Sequence, residues 1–330
     1  MKSSYLQVGV ACTLLAFLGC GSIFIADATA QDYPTKPVRF IVPFAPGGGT
    51  DVLARIVAPK MSETLGKQVV VENRTGAGGN LATEQVAKSP PDGYMILLAY
   101  IGPIAVSPSL NSKLGFDPVK DFSAVSLMAT IPLVLVVHPS LPAKSVRELI
   151  MLARAKPGQM TYGSAGNGTA QQLAGELFNL LAATKIMGIP YRGGAPATVA
   201  VLTGEVDLLF TGALGVFPHI KSGRLRALAV TTSRRLPSAP ELPTVAEAGV
   251  QGFEVVSWNG VLVPTGTPPS VIQKLNASIS EALRAPDVRQ RLNSEGLQIV
   301  ASTPEQFEQF IRAEITKWAK VVRSAGLKAE

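Results

Sequence analysis

The sequence predicts an α/β protein made of two sheet-and-helix sets, each a doubly wound sheet flanked by helices. Three observations carry that expectation. Short apolar runs alternate with stretches of helical periodicity along most of the chain. Apolar residues make up 47% of the 330 residues and charged residues 16%, which fills a sizeable core and argues against disorder. Four glycine-rich stretches, "PFAPGGGTD", "ENRTGAGGN", "YGSAGNGT" and "YRGGAPA", each follow an apolar run, where loops leave the carboxyl ends of strands in open sheets.

Taken in order, residues 38–42 (VRFIV) read as a buried strand. Leu53, Ile56, Val57, Met61 and Leu65 then share one helical face, with Gly66 as the stop and a kink expected at Pro59. Residues 68–72 are a second strand, 81–88 a short helix closed by Pro90 and Pro91, and 94–99 a third strand. That alternation implies a parallel sheet. A second set follows: strands at 133–137, 160–163, 185–191, 206–210 and 226–232, with helices at 145–155, 170–181, 197–202 and 214–221 between them. The C-terminal part offers a strand at 258–264 and a helix at 270–284. A last helix carries Phe307, Ile311, Ile315, Trp318 and Val322 at spacings of three and four, a core-facing stripe.

The first thirty residues read as an export signal: Lys2, an apolar stretch from 8 to 25, and the small-x-small site "ATA" ending at Ala30, after which cleavage is expected. An uncleaved anchor and lipid attachment at Cys20 in "FLGC" are the alternatives; Phe17 fits a lipid site poorly. Both cysteines, Cys12 and Cys20, lie in this segment, so the mature chain needs neither disulfide nor thiol chemistry and belongs in the periplasm. Cutting there removes Lys2 and Asp27, leaving the formal charge at +7. The basic residues are scattered, and Arg234 and Arg235 with Lys221, Arg224 and Arg226 are the densest group. No nucleic-acid motif accompanies them; the charge serves a solvated surface that attracts small anions.

Several activities lack their motif. No glycine is followed by the lysine and hydroxyl of a phosphate loop. Gly47 and Gly49 give two thirds of a dinucleotide fingerprint whose third position is Val52, and "GAGGNL" ends on Leu81. With only His138 and His219 and no paired ligand spacing, no metal and no cofactor is expected. Ser164 in "YGSAG" nearly makes G-x-S-x-G, with Asp207 and His219 downstream in hydrolase order. Tyr162 replaces the first glycine, however, and Ser164 need only cap a helix, so no catalytic residue is expected. What the glycines do offer is an anion cradle. A helix N-terminus exposes unpaired N–H groups and a partial positive charge, and glycines before it let an acid group approach the backbone. "PFAPGGGTD" suits that role, with Thr50 or Asp51 as the alternative helix cap.

Those stretches, together with "YPTKPVRFIVPFAPGGGTDVLAR", "SPPDGY", "GEVDLLF", "GRLRALAVT", "LPTVAEAG" and "TPEQFEQFIRAEITKWAKVV", run in order through nearly the whole mature chain. On them the sequence resembles the extracytoplasmic solute receptors of tripartite tricarboxylate transporters, the Bug receptors. The resemblance implies a two-lobed periplasmic binding protein fold of type II-like architecture with a cleft between the lobes. After the signal at 1–30, residues 31–131 and 258–330 would form lobe 1 and 132–257 lobe 2, with crossings near 130–132 and 256–258. It further implies that a carboxylate is held between two loops, partly through water and backbone amides. Carried over, the first loop is Phe44, Ala45, Pro46, Gly47, Gly48, Gly49, Thr50 and Asp51. The second is Gly163, Ser164, Ala165, Gly166, Asn167, Gly168 and Thr169. Tyr100, Gly102, Gly194, Thr211 and Gly212 complete the implied pocket. The one departure is Thr75, where the family usually has proline before "GAGG". The implied function is a monomeric receptor that captures a small organic carboxylate and delivers it to membrane permease subunits. A receptor docking a signalling kinase and a serine hydrolase are the other readings. The sequence leaves the acid itself unnamed.

Overall fold

The computed structural model describes residues 33–326 except 48, 112, 167, 192 and 295. The expected export segment, its cleavage point, Cys20, and the candidate residues Gly48 and Asn167 lie outside the described residues. No described helix is long and apolar enough to cross a membrane.

The chain opens with β1 (Val38–Val42), α1 (Gly49–Leu65), β2 (Val69–Asn73), α2 (Asn80–Ala87) and β3 (Met95–Tyr100). β1 lies parallel between β2 and β3, as alternating strands and helices require. α1 runs on through Pro59, burying Leu53, Val57, Met61 and Leu65. A π-helical turn, Gly102–Val106, leads into α3 (Ser107–Leu110) and then β4 (Phe122–Val137). There follow α4 (Val146–Ala155), β5 (Thr161–Ser164), α5 (Ala170–Ala182), β6 (Met187–Pro190), α6 (Gly194–Thr203), β7 (Leu208–Gly212), α7 (Ala213–Lys221) and β8 (Arg226–Val230). The chain ends with β9 (Val256–Pro264), α8 (Pro269–Arg284), α9 (Pro286–Ser294), β10 (Gln298–Ile299) and α10 (Pro304–Ala325).

The strand order is β2-β1-β3-β9-β4-β7-β5-β6, with β8 and β10 also on β4. The first set is parallel as expected, and the sheet as a whole is mixed. β5 is parallel to β6 and β7, but every ladder involving β4 or β9 is antiparallel. The cause is β4, a strand of 16 residues where only 133–137 was expected. Its first part pairs with β9, and from Leu133 onward it pairs with β7 and β8, so one strand serves two groups of strands. Pro132 falls at the changeover, where a residue without an N–H leaves few ladder bonds unmade. The segments read as chain crossings face each other in the ladder, as Thr130↔Trp258, Ile131↔Ser257 and Pro132↔Val256.

α10 carries the predicted stripe inward: Phe307, Ile311, Trp318 and Val322 are buried. A capping box of Thr303 and Gln306 starts it, with Pro304 in the first turn. It packs chiefly on β4 and the Gly102–Val106 turn, and its aromatic residues meet Trp258 of β9. Trp258 meets the Phe307 and Phe310 rings edge-on at 5.8 and 5.5 Å. The buried Glu314 accepts both indole N–H groups through Oε2, from Trp258 at 3.0 Å and Trp318 at 2.9 Å. Gly260 is required there: a Cβ would stand 2.2 Å from the Phe307 ring and 2.8 Å from the Ser126 carbonyl oxygen.

Candidate ligand site

The loop between β1 and α1 is braced from within. The Asp51 carboxylate, only 3% exposed, accepts the Gly47 N–H at 2.9 Å, the Asn73 amide at 2.9 Å and the Arg55 guanidinium at 2.9 and 3.0 Å. Asn73 also holds the Phe44 carbonyl at 2.9 Å. Asp51 thus fixes the loop and has its charge matched by Arg55, so it does not cancel the positive end of α1. Gly47 sits at φ 87, left-handed backbone that glycine adopts without strain. Burial works to raise the Asp51 pKa, but the bonds from Arg55, Gly47 and Asn73 win and hold it below the ordinary 3.8. A depressed carboxylate contributes stability that is complete above its ordinary range and lost as pH falls through the lowered value. Asp51→Asn should therefore melt well below the parent at pH 7, and the gap should close as pH drops below 3.8 in paired melting curves.

Tyr100, at the end of β3, joins this loop to the one after β5. Its ring meets Phe44 edge-on at 5.1 Å, and its hydroxyl accepts the Ala170 N–H, the first of α5, at 3.5 Å. Burial pushes the phenol pKa up, against hydrogen bonds to Ser257 and Ala170 that lower it, so Tyr100 stays protonated at neutral pH. Gly102 follows, and a Cβ on it would lie 3.1 Å from the Gly168 carbonyl oxygen. The two loops thus approach each other across Tyr100 and Gly102.

In the second loop the Gly168 N–H goes to Gln172 Oε1 at 2.7 Å, and the Thr169 hydroxyl donates to the Gly166 carbonyl at 2.6 Å. Thr169 is the N-cap residue of α5 with extended backbone and no side-chain cap bond. The first-turn amides of α5 are therefore not taken by its own cap. Gly163 and Ser164 end β5, and Ser164 is buried with its carbonyl bonded to the Tyr191 N–H at 2.9 Å. Gly194 opens α6 beside the first turn of α5, 3.8 Å from Gln171 Nε2 when a Cβ is placed on it. Thr211 and Gly212 end β7, and Gly212 pairs with Leu133 just past the strand changeover. Among the described residues no hydrogen bond joins Ser164, Asp207 and His219; Asp207 instead holds the Thr161 N–H at 2.8 Å.

Sequence reasoning missed three contributors. Gly79, at the start of α2, packs on Pro43, Phe44 and Pro103, which brings "TGAGGN" against the first loop. Ser257 and Asn259 share one face of β9; Ser257 reaches the Tyr100 hydroxyl, and Asn259 lies opposite Tyr100 in the ladder. The available signal was two polar residues flanking the tryptophan of an otherwise apolar strand, "VSWNGVLVP".

Solved structures with this α/β architecture are periplasmic binding proteins. The model described as tripartite tricarboxylate transporter family receptor matches residues 53–327. The chain belongs to that family. Among its relatives, the protein BugT of Bordetella pertussis is 41% identical over 322 residues, covering 96% of this chain and 98% of that one. A Rhodopseudomonas palustris family structure solved with adipate is 37% identical with a TM-score of 0.80, covering 90% and 99% of the two chains. MatC from the same organism, solved with bound malate, is 34% identical with a TM-score of 0.77, covering 88% and 100%. Family receptors are solute-binding proteins.

Proposed function

We propose that this receptor captures a small organic carboxylate between two lobes, in the periplasm, and delivers it to membrane permease subunits. The lobes of this reading are residues 31–131 with 258–330 and residues 132–257, hinged where β4 and β9 pass between them. The observation that carries it is that Tyr100 bridges the loop before α1, through the Phe44 ring at 5.1 Å, and the first turn of α5, through the Ala170 N–H at 3.5 Å. Each helix N-terminus offers first-turn N–H groups and a partial positive charge, so a carboxylate needs no arginine to be held. Waters complete the coordination at little loss of affinity. Gly49, Thr50, Gly166, Gly168 and Thr169 shape the two walls, and Gly194, Thr211 and Gly212 the far end. Asp51 positions the first loop and does not touch the ligand. Closure is favoured because the closed form makes contacts from both lobes. The chain acts without catalysis, and the acids held by its R. palustris relatives support the ligand class.

A melting screen against small mono-, di- and tricarboxylates, followed by mass spectrometry of the recovered acid, tests this. A true ligand at 100 times its Kd should add about 2.7 kcal/mol of stability and come back unchanged. An acid returned chemically changed, or no acid raising the melting point, would overturn the reading.

A further inference from the structure

Asn259 is completely buried, and its Oδ1 has no hydrogen-bond partner among the described residues. Its Nδ2 donates to the Thr50 hydroxyl at 3.5 Å, at the limit of a hydrogen bond. Buried amide oxygens in native proteins are nearly always satisfied, so an orphan of this kind calls for a missing partner. Its surroundings say where that partner sits. Thr50 is in the first turn of α1, Tyr100 is opposite Asn259 in the ladder, and Ser257 is two residues along the same face. Among the described residues a second buried side-chain oxygen lacks a partner, Oδ1 of Asn80, the residue that opens α2 next to Gly79, which lies against Phe44. Both orphans flank the first loop.

We propose that Asn259 is a specificity-determining residue whose amide oxygen reads a hydroxyl on the carbon next to the anchored carboxylate, so that the receptor selects 2-hydroxy acids over their deoxy counterparts. This rests on the carboxylate reading above. The reach follows from Thr50: a group that Asn259 can touch while the acid sits on the first turn of α1 is a bond or two from that acid. A hydroxyl suits the site better than an ammonium. The N-terminus of α1 is a positive end, and the nearby carboxylate, Asp51, is already committed to Arg55, Asn73 and Gly47. A hydroxyl adds no charge, donates to the amide oxygen and still accepts from a neighbour such as Tyr100 or Ser257. An acid without it leaves the buried oxygen unpaired, the situation in which sites discriminate strongly.

Calorimetric titration of the parent, Asn259→Leu and Asn259→Ala with three matched pairs tests this: lactate and propionate, malate and succinate, mandelate and phenylacetate. In the pairs that bind, the parent should hold the hydroxy acid about 10–100-fold more tightly. Both variants should bring that ratio close to one while keeping deoxy-acid affinity within about threefold. Equal affinities in the parent, or a preference that survives in either folded variant, would overturn the role of Asn259 and leave the carboxylate reading standing; a water satisfying Oδ1 would give that result. If none of the six acids bound the parent, the selection of 2-hydroxy acids would fall, while the carboxylate reading would fall only if no acid of the melting screen bound either.

Discussion

Gly102→Leu should abolish carboxylate binding with the fold intact. Gly102, two residues past β3, lies against the loop before α5. A Cβ there already meets the Gly168 carbonyl oxygen at 3.1 Å and the Tyr100 ring at 3.7 Å, so a leucine must push the second loop away or project into the cleft. Either outcome separates the two helix N-termini that hold the acid. Misplacing binding groups by an ångström is costly, and a loss of about 100-fold or more is expected in titration. Gly102→Ala should lose far less, because 3.1 Å to one oxygen is relieved by a shift of a few tenths of an ångström. The circular dichroism spectrum of the leucine variant should match the parent's. Tight binding by the leucine variant would mean that the second loop takes no part.

Glu314→Leu is expected to be the most destabilising single change away from the glycines. One carboxylate oxygen accepts the indole N–H groups of Trp258 and Trp318, and all three side chains are buried. Leucine leaves two donors unpaired in the core, at about 1–3 kcal/mol each. For a body of this size that lowers the melting temperature by roughly 5–10 °C. Glu314→Gln keeps an acceptor oxygen and should lose about 1 kcal/mol. The effect reaches past the core, because the Trp258 backbone pairs with Thr130 two residues before β4 changes partners. A leucine variant melting within 2 °C of the parent, a margin well inside the ~5 °C expected, would show that the indoles find other partners.

Much of the fold was legible because local pattern and tertiary role agreed. The stripe from Phe307 to Val322 is buried as its spacing requires, and the 38–42 run is the buried β1. The mixed sheet was not legible. In β4, Ser123 and Ser126 interrupt the apolar run and two register shifts disturb its alternation, so 122–132 does not read as strand. Pro132 then reads as a break, although the ladder merely changes partners there. The candidate site divides the same way. Glycine-rich corners announce themselves, and Arg55 four residues after Asp51 is a visible helical pair. That Asp51 also holds Asn73, 22 residues on, depends on β1 pairing with β2. Asn259 depends on the pairing of β9 with β3 across nearly half the chain, which no local pattern encodes.

A crystal structure of the receptor purified with its acid tests the central claim most directly. The acid's carboxylate should lie within hydrogen-bond distance, directly or through one water, of first-turn amides of both α1 and α5, beside Tyr100. An acid seated elsewhere, for instance in the apolar hollow formed by Phe217, Ile220, Leu236 and Leu242, would contradict it, as would α1 and α5 presenting their N-termini to different faces of the molecule.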